Sequence, residues 1–211
     1  MGIVYERHEN REDWLSARDG HMGASEASAI LGLGFMSKMD LWKLKTGRAK
    51  PKDLSQNEAV SYGNRAEEPL RQLFMAKHPE LTLTYRPYDF VYQEERPFMK
   101  ATLDGELVSS DGERLILEIK TATPRGKTGW AEWDDRVPDK YYCQCLFQML
   151  CTGFHGAYLF AELMGDRGSQ IREYFFDDEE CASDLSYLLE QVESFWKCVE
   201  TGKVPTAPLR I

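Results

Sequence analysis

Three residues near the middle of the chain carry the chemistry that its sequence can support. Asp104 stands in A-T-L-D-G-E-L, and after a short turn Glu118 and Lys120 stand in L-I-L-E-I-K-T. In an extended strand, residues i and i+2 project from the same face. Glu118 and Lys120 therefore share a face, while Ile119 turns its side chain the other way, into a core. If Asp104 faces them from the neighbouring strand of a hairpin, two carboxylates form an oxygen-rich pocket with one ammonium beside it. Hard divalent cations such as Mg²⁺ take such ligands. Phosphodiester cleavage uses such a cation to offset the charge that builds on the phosphate. The lysine would lower the cost of forming hydroxide there. D-G and E-x-K are common strings, and the same residues would also suit a solvated hairpin face, so the surrounding chain has to decide.

These side chains need a sheet and helices to hold them. Periodicity and capping signals predict helices over 12–17, from Ser25 to Gly32 or Gly34, over 39–45, and over 57–77. Strands follow at 82–85, 89–93, 99–103, 106–109 and 115–121. The stretch T-A-T-P-R-G-K-T-G-W reads as a loop carrying Arg125 and Lys127. A helix over 138–153 has an apolar stripe of Tyr142, Cys145, Leu146, Met149 and Leu150, with Tyr141, Gln144 and Gln148 on another edge. A hairpin, 157–162 with 170–176, and a helix over 178–201 complete the order. That order is a mixed central sheet flanked by helices, an α/β core. Residues 1–211 are expected to form a single domain.

The bulk properties exclude several classes. No apolar run reaches the ~18 residues of a membrane helix, and the start M-G-I-V-Y-E-R-H carries neither an apolar leader nor a myristoylation pattern. On these features the chain is expected in the cytoplasm, with no membrane partner. Five cysteines, an odd number without C-x-x-C spacing, are expected to be small buried hydrophobes rather than a disulfide framework or a zinc site. A net charge of −9 argues against a generally basic nucleic-acid coat. It leaves room for a local basic track, because phosphate affinity is set by local contacts. Lys38, Lys43, Lys45, Arg48, Arg125 and Lys127 are the candidates for such a track.

Further segments join the first three residues. G-N-R-A-E-E-P-L-R-Q-L-F places Glu67 four residues after Gly63, with Glu68 beside it as an alternative. Y-Y-C-Q-C-L-F-Q-M carries Gln144, and W-L-S-A-R-D-G-H-M-G-A-S-E-A carries Trp14, Arg18 and Ser25. With this ordered set of W-x3-R, G-A-S-E-A, L-W, K-T-G, G-x3-E, T-L-D-G, E-I-K and Q-x3-Q-M, the chain resembles the YqaJ-type viral recombinase, or phage lambda exonuclease, family. The resemblance covers Trp14 to about Gly153, and the last strands and helix agree in order.

The resemblance implies a restriction-endonuclease-like core. It implies Mg²⁺-dependent 5′-to-3′ digestion of one strand of duplex DNA from an end, with release of mononucleotides and a 3′ single strand for annealing recombination in a phage or prophage setting. It also implies two Mg²⁺ ions (Mn²⁺ as a substitute), a toroidal homotrimer and a single-strand annealing protein as partner. On this pattern Asp104, Glu118, the Ile119 carbonyl and Glu67 would hold the metals. Lys120 would activate the attacking water, and Gln144 would hold that water or a phosphate oxygen. Relatives often have tyrosine where this chain has Gln148, which is left without a role. Arg18 and Ser25 match the family's pocket for a terminal 5′-phosphate; a guanidinium fork suits phosphate oxygens, although Ser25 would serve equally as an N-cap. Trp14 reads as a core aromatic. Val60 falls where the family uses an apolar wedge to part the strands, or else packs within its helix. Two other readings stay open: an end-independent or single-strand nuclease of the same superfamily, and a non-catalytic DNA-binding module with a degenerate core.

Overall fold

The computed structural model describes residues 2–134, 136–166 and 168–206. In chain order the elements are β1 (Ile3–Glu6), α1 (Arg11–Ala17), β2 (Met22–Gly23), α2 (Ala27–Ile30), α3 (Lys38–Lys45), α4 (Glu58–Lys77), β3 (Thr82–Thr84), β4 (Phe90–Gln93), β5 (Met99–Lys100), β6 (Gly105–Val108), β7 (Arg114–Ala122), α5 (Gly126–Ala131), α6 (Asp139–Thr152), β8 (Gly156–Gly165), β9 (Gly168–Asp177) and α7 (Ala182–Thr201). Five strands make one sheet in the order β3-β6-β7-β8-β9. Only the β7–β8 pair in it is parallel, and the crossover between them carries the short α5 and the longer α6.

Side-chain alternation along the central strand separates two cores. Leu115, Leu117 and Ile119 face the layer of α4, where they pack with Leu70 and Phe74. Ile116, with Ala157, Leu159, Ala161 and Leu163 of β8, packs with Leu146, Phe147 and Met149 of α6. Phe74 and Leu117 are fully buried, each removing enough apolar surface to contribute about 1.5–3 kcal/mol. The hydrophobic face of α7, through Leu188, Val192 and Phe195, covers the α6 side. Glycines in the left-handed region end both helices: Gly153 after α6 and Gly202 after α7. The five thiols are free, four of them buried, and Cys143, Cys145 and Cys151 pack on α6 like small apolar side chains. Among the described residues no helix is long and apolar enough to cross a membrane.

The element order follows the sequence pattern, with three departures. The expected loop after β7 contains α5, because Gly126 adopts a positive φ that starts a short turn of helix on Arg125. The segment at Ser25 is a 3₁₀ turn, Ala24–Glu26, leading into a four-residue helix. Its N-cap is Gly23, whose N–H donates to the Glu26 carboxylate at 2.8 Å. Ser25 therefore does not cap it, and so short a helix offers little dipole to an anion. Strands β1 and β2 had no expectation; β1 pairs antiparallel with β4 and β2 parallel with β5, each in a separate two-stranded ribbon.

Candidate active site

Strand β7 sets the site. Its parallel neighbour β8 fixes Glu118 opposite Leu159 and Lys120 opposite Ala161, so both side chains emerge on the α6 face. Glu118 is 2% exposed, and a carboxylate this deep must be matched by donors. It has three. The Lys120 ammonium pairs with Oε1. Gln144 donates its Nε2–H to the same oxygen at 2.6 Å, and Gln148 donates to Oε2. Gln144 and Gln148 are four residues apart, so they share one face of α6. Burial alone would lower the Lys120 ammonium, but Glu118 and Asp104 outweigh it and raise it, so Lys120 stays charged.

Asp104 lies one residue before β6 rather than within it. Its Oδ2 accepts the backbone N–H of Ile119 at 2.7 Å, just past the Gly105–Leu117 pair where the ladder ends. Gly105 permits that ending: a Cβ there would meet Leu83 at 3.1 Å and Leu117 at 3.2 Å. Burial, and then the nearby Glu118 charge, raise the Asp104 carboxyl well above the ordinary carboxylate range, with Lys120 opposing. Helix α4 closes the other side. Gly63 lets it approach β7, since a Cβ at that position would stand 3.3 Å from the Thr121 hydroxyl. One turn later, Glu67 is half-buried and raised by burial; it also feels Arg71, Glu118 and Lys120. Glu68 instead faces outward and pairs with Arg71. The geometry thus separates two acids that the sequence left equivalent.

Two residues without an assigned role help to build this cluster. Gln148 is fully buried, bridging Glu118 and, at 3.4 Å, the Thr102 carbonyl. Arg71, 5% exposed, donates from Nε to the Asp104 carbonyl at 2.8 Å and lies over the Tyr85 ring at 3.7 Å. Its signal in the sequence is its position four residues after Glu67, on the same helix face.

Arg18 connects to the cluster through packing. Its guanidinium lies 4.7 Å from the Trp14 ring centre, which explains the W-x3-R spacing as an i, i+4 contact. Trp14 donates from Nε1 to the Thr102 hydroxyl at 3.1 Å and packs against Phe90, as a partly buried structural aromatic. Thr102 is the residue whose carbonyl Gln148 reaches. Ser25 is exposed, and its turn is tied to the Arg18 backbone by Lys45, which pairs with Glu26 at 2.8 Å and lies 3.4 Å from the Arg18 carbonyl. Lys45 is thereby removed from the candidate track, its side chain being 6% exposed. Val60 is exposed in the first turn of α4 rather than packed within it. Lys38 is half-buried, while Arg125, at the N-cap of α5, and Lys127, in its first turn, are exposed.

The donors that could hold a cation are hard oxygens. The Asp104 and Glu118 carboxylates flank Ile119. Because a residue's N–H and C=O emerge on the same edge of a strand, the Ile119 carbonyl lies on the Asp104 side. Among the described residues, no three His, Cys, Asp or Glu side chains converge on a ready-made metal position. The carboxylates outnumber the one lysine beside them, and Asp104, raised chiefly by burial, is raised further by the Glu118 charge. Mg²⁺ fits such a site in charge and in ligand chemistry.

Solved structures share this architecture. The alkaline exonuclease from Laribacter hongkongensis superposes with a TM-score of 0.64 at 18% identity, over 92% of this chain and 94% of that one. A second structure of that protein is a complex with dAMP. A phage-related exonuclease from Haemophilus somnus 129PT matches with a TM-score of 0.56 at 14% identity, over 86% of this chain and 96% of that one. In sequence, the uncharacterized protein YqaJ of Bacillus subtilis (strain 168) is 31% identical over 173 residues, 81% of this chain. The chain spans 51% of that relative's length. The sequence profile of the YqaJ-like viral recombinase domain matches residues 13–155, a stretch that holds the carboxylates, the lysine and both glutamines. On that match, which takes in well over half its length, the chain belongs to the YqaJ-like viral recombinase family.

Proposed function

We propose that this protein is a Mg²⁺-dependent exonuclease that degrades one strand of duplex DNA from a 5′ end, releasing mononucleotides and leaving a 3′ single strand for annealing. The observation that carries the reading is Lys120 paired with a buried Glu118 and set beside Asp104, within a family and fold shared with exonucleases. The dAMP complex of the Laribacter protein accords with a mononucleotide product.

Asp104, Glu118 and the Ile119 carbonyl would hold Mg²⁺, and Glu67 would serve a second ion or its waters. When bound, the metal supplies a Lewis acid that offsets charge on the phosphate. The protein's own groups do the rest. Lys120 keeps its proton and donates a hydrogen bond to the oxygen of the attacking water; as that water loses a proton to bulk solvent, the ammonium stabilises the hydroxide left behind. Gln144 and Gln148 hold the Glu118 carboxylate in one orientation, so that no reorganisation accompanies the reaction. Gln144, at the less buried end of that pair, also reaches the water or a phosphate oxygen. Arg18 presents a guanidinium fork to the terminal 5′-phosphate, with Ser25 beside it. Val60, exposed in the first turn of α4, would serve as the wedge between the strands. A ring of three subunits around the duplex, and an annealing protein taking up the 3′ strand, complete the proposal.

The test is a linear duplex with one 5′ end phosphorylated and the other not, each labelled, beside a closed circular duplex. Mg²⁺-dependent release of mononucleotides, faster from the phosphorylated end and absent on the circle, is expected. Cutting of the circle would favour the end-independent reading; binding without hydrolysis at any Mg²⁺ concentration would favour a non-catalytic module.

A further inference from the structure

Phe35 is the most exposed large hydrophobic side chain among the described residues, at 86%. A loose loop is a poor reason for that exposure. Gly32 adopts φ 76°, and its N–H donates to the Ala29 carbonyl at 3.2 Å. The Leu33 N–H donates to the Ser28 carbonyl at 2.9 Å. Gly34 lies so close to α2 that a Cβ would stand 2.7 Å from the Ser28 hydroxyl and 2.9 Å from the Ala29 nitrogen. On the other side, Ser37 caps α3 through the Asp40 N–H at 3.1 Å. Both ends of the turn are anchored, so the backbone holds the ring out in water, where an aromatic gains nothing by itself.

The ring is not isolated. The Lys140 ammonium lies 4.1 Å from its centre and 4.9 Å from that of Tyr141. Tyr141 in turn faces the Lys120 ammonium at 5.6 Å. Cation and ring alternate from the lysine of the carboxylate cluster to the exposed phenyl: Lys120, Tyr141, Lys140, Phe35. Alternating aromatic and cationic groups suit single-stranded nucleic acid, whose bases stack on rings while its phosphates pair with cations.

We propose that Phe35 and Lys140 form a ledge for single-stranded DNA, a nucleobase stacking on the Phe35 ring and the adjoining phosphate resting on Lys140, continuous with the site at Lys120. The inference deepens the DNA-end reading above and rests on it. Leu33 and Met36 widen the apolar edge of the ledge, at 44% and 36% exposure. The anchored turn supplies preorganisation: little is lost in ordering a platform that is already fixed.

The test measures binding of a fluorescein-labelled (dT)12 oligonucleotide in EDTA, where no cleavage occurs, for the full chain and for the Phe35→Ala, Phe35→Trp and Lys140→Ala variants. Phe35→Ala is expected to weaken binding about tenfold. Phe35→Trp is expected to keep the affinity, and its added indole emission to be quenched on binding. Lys140→Ala is expected to reduce the magnitude of the log–log salt slope by roughly 0.7, one phosphate contact on a single strand. Affinity of Phe35→Ala within twofold of the parent would overturn the ledge. So would a smaller sedimenting mass for that variant, which assigns the turn to contact between copies, or a parent chain that does not hold (dT)12 at all. Digestion of linear duplex by the parent chain in Mg²⁺ is scored separately, so failure of the ledge and failure of the exonuclease reading are distinguishable.

Discussion

Gln148, with no exposed surface, donates a side-chain N–H to Oε2 of Glu118 from one helical turn beyond Gln144, which holds Oε1. A buried carboxylate gripped at both oxygens cannot rotate without breaking a charge-assisted hydrogen bond. The other end of the same amide, Oε1 of Gln148, finds no hydrogen-bond partner among the described residues. The amide is thus committed to Glu118 even though its carbonyl gains nothing there.

Replacing Gln148 with leucine removes one donor from Glu118 and also removes the unmatched carbonyl. A hydrogen bond to a charged group contributes about 1.5–3 kcal/mol, and relief of the unmatched oxygen returns part of that. Urea denaturation of Gln148→Leu should show a loss below about 2 kcal/mol, while hydrolysis of linear duplex falls at least about tenfold through misorientation of the carboxylate. A stability loss with an unchanged rate would reduce Gln148 to a packing residue.

Glu67 and Glu68 give a sharper comparison. Glu67→Gln should slow Mg²⁺-dependent cleavage by about a hundredfold, because a half-buried carboxylate beside Glu118 is lost. Glu68→Gln alters a side chain that is 62% exposed and should leave the rate within about threefold. Equal effects of the two changes would undo the assignment of Glu67 to the site. Lys120→Ala belongs in the same series: duplex binding in EDTA should persist while cleavage falls by orders of magnitude.

Arg71 supports Asp104 through its backbone carbonyl while stacking on Tyr85. Lysine offers neither the planar stack nor a fixed fork. Arg71→Lys should therefore cost about 2–4 kcal/mol in chemical denaturation, since the substitution leaves a buried charge poorly matched. A loss below about 0.5 kcal/mol would show that the contact is dispensable.

His21 supplies the pH dependence. It is 3% exposed, packed edge-on against Phe90 at 4.5 Å, and burial, aided by Lys100 and Lys45, pushes its pKa down to about 3 from the ordinary 6.5. The unfolded chain thus binds a proton that the folded chain refuses. The stabilisation from neutral His21 is complete above pH ~6.5 and is lost as pH falls from there toward 3, at ~1.4 kcal/mol per pH unit for one proton. His21→Phe should flatten the stability curve between pH 6 and 4 by about that slope; urea melts at pH 7, 6, 5 and 4 give the measurement, and an unchanged curve would refute it.

Much of the frame was legible in the residues themselves. Alternation in L-I-L-E-I-K-T set Glu118 and Lys120 on one face and Ile119 on the other, because the pleat has a period of two. The cap and stripe signals placed α4, α6 and α7 within a few residues of their observed ends, because local hydrogen bonding and apolar periodicity are encoded nearby. The short turn at Ser25 and α5 after β7 escaped, since each depends on a single glycine or on side-chain capping in a segment too short to show periodicity.

The sequence by itself determined which groups were available: two carboxylates, a lysine two residues from one of them, and a glutamine-bearing helix edge. The tertiary structure decided which of them meet. The choice of Glu67 over Glu68 follows from the close approach of α4 to β7 at Gly63. Committing Gln148 to Glu118 follows from the crossover that lays α6 on the strand. The place of Arg71 under Asp104, and the anchored turn that holds Phe35 beside Lys140, depend on contacts between segments far apart in the chain. Such contacts are set by sheet register and layer packing, which leave no local pattern to read.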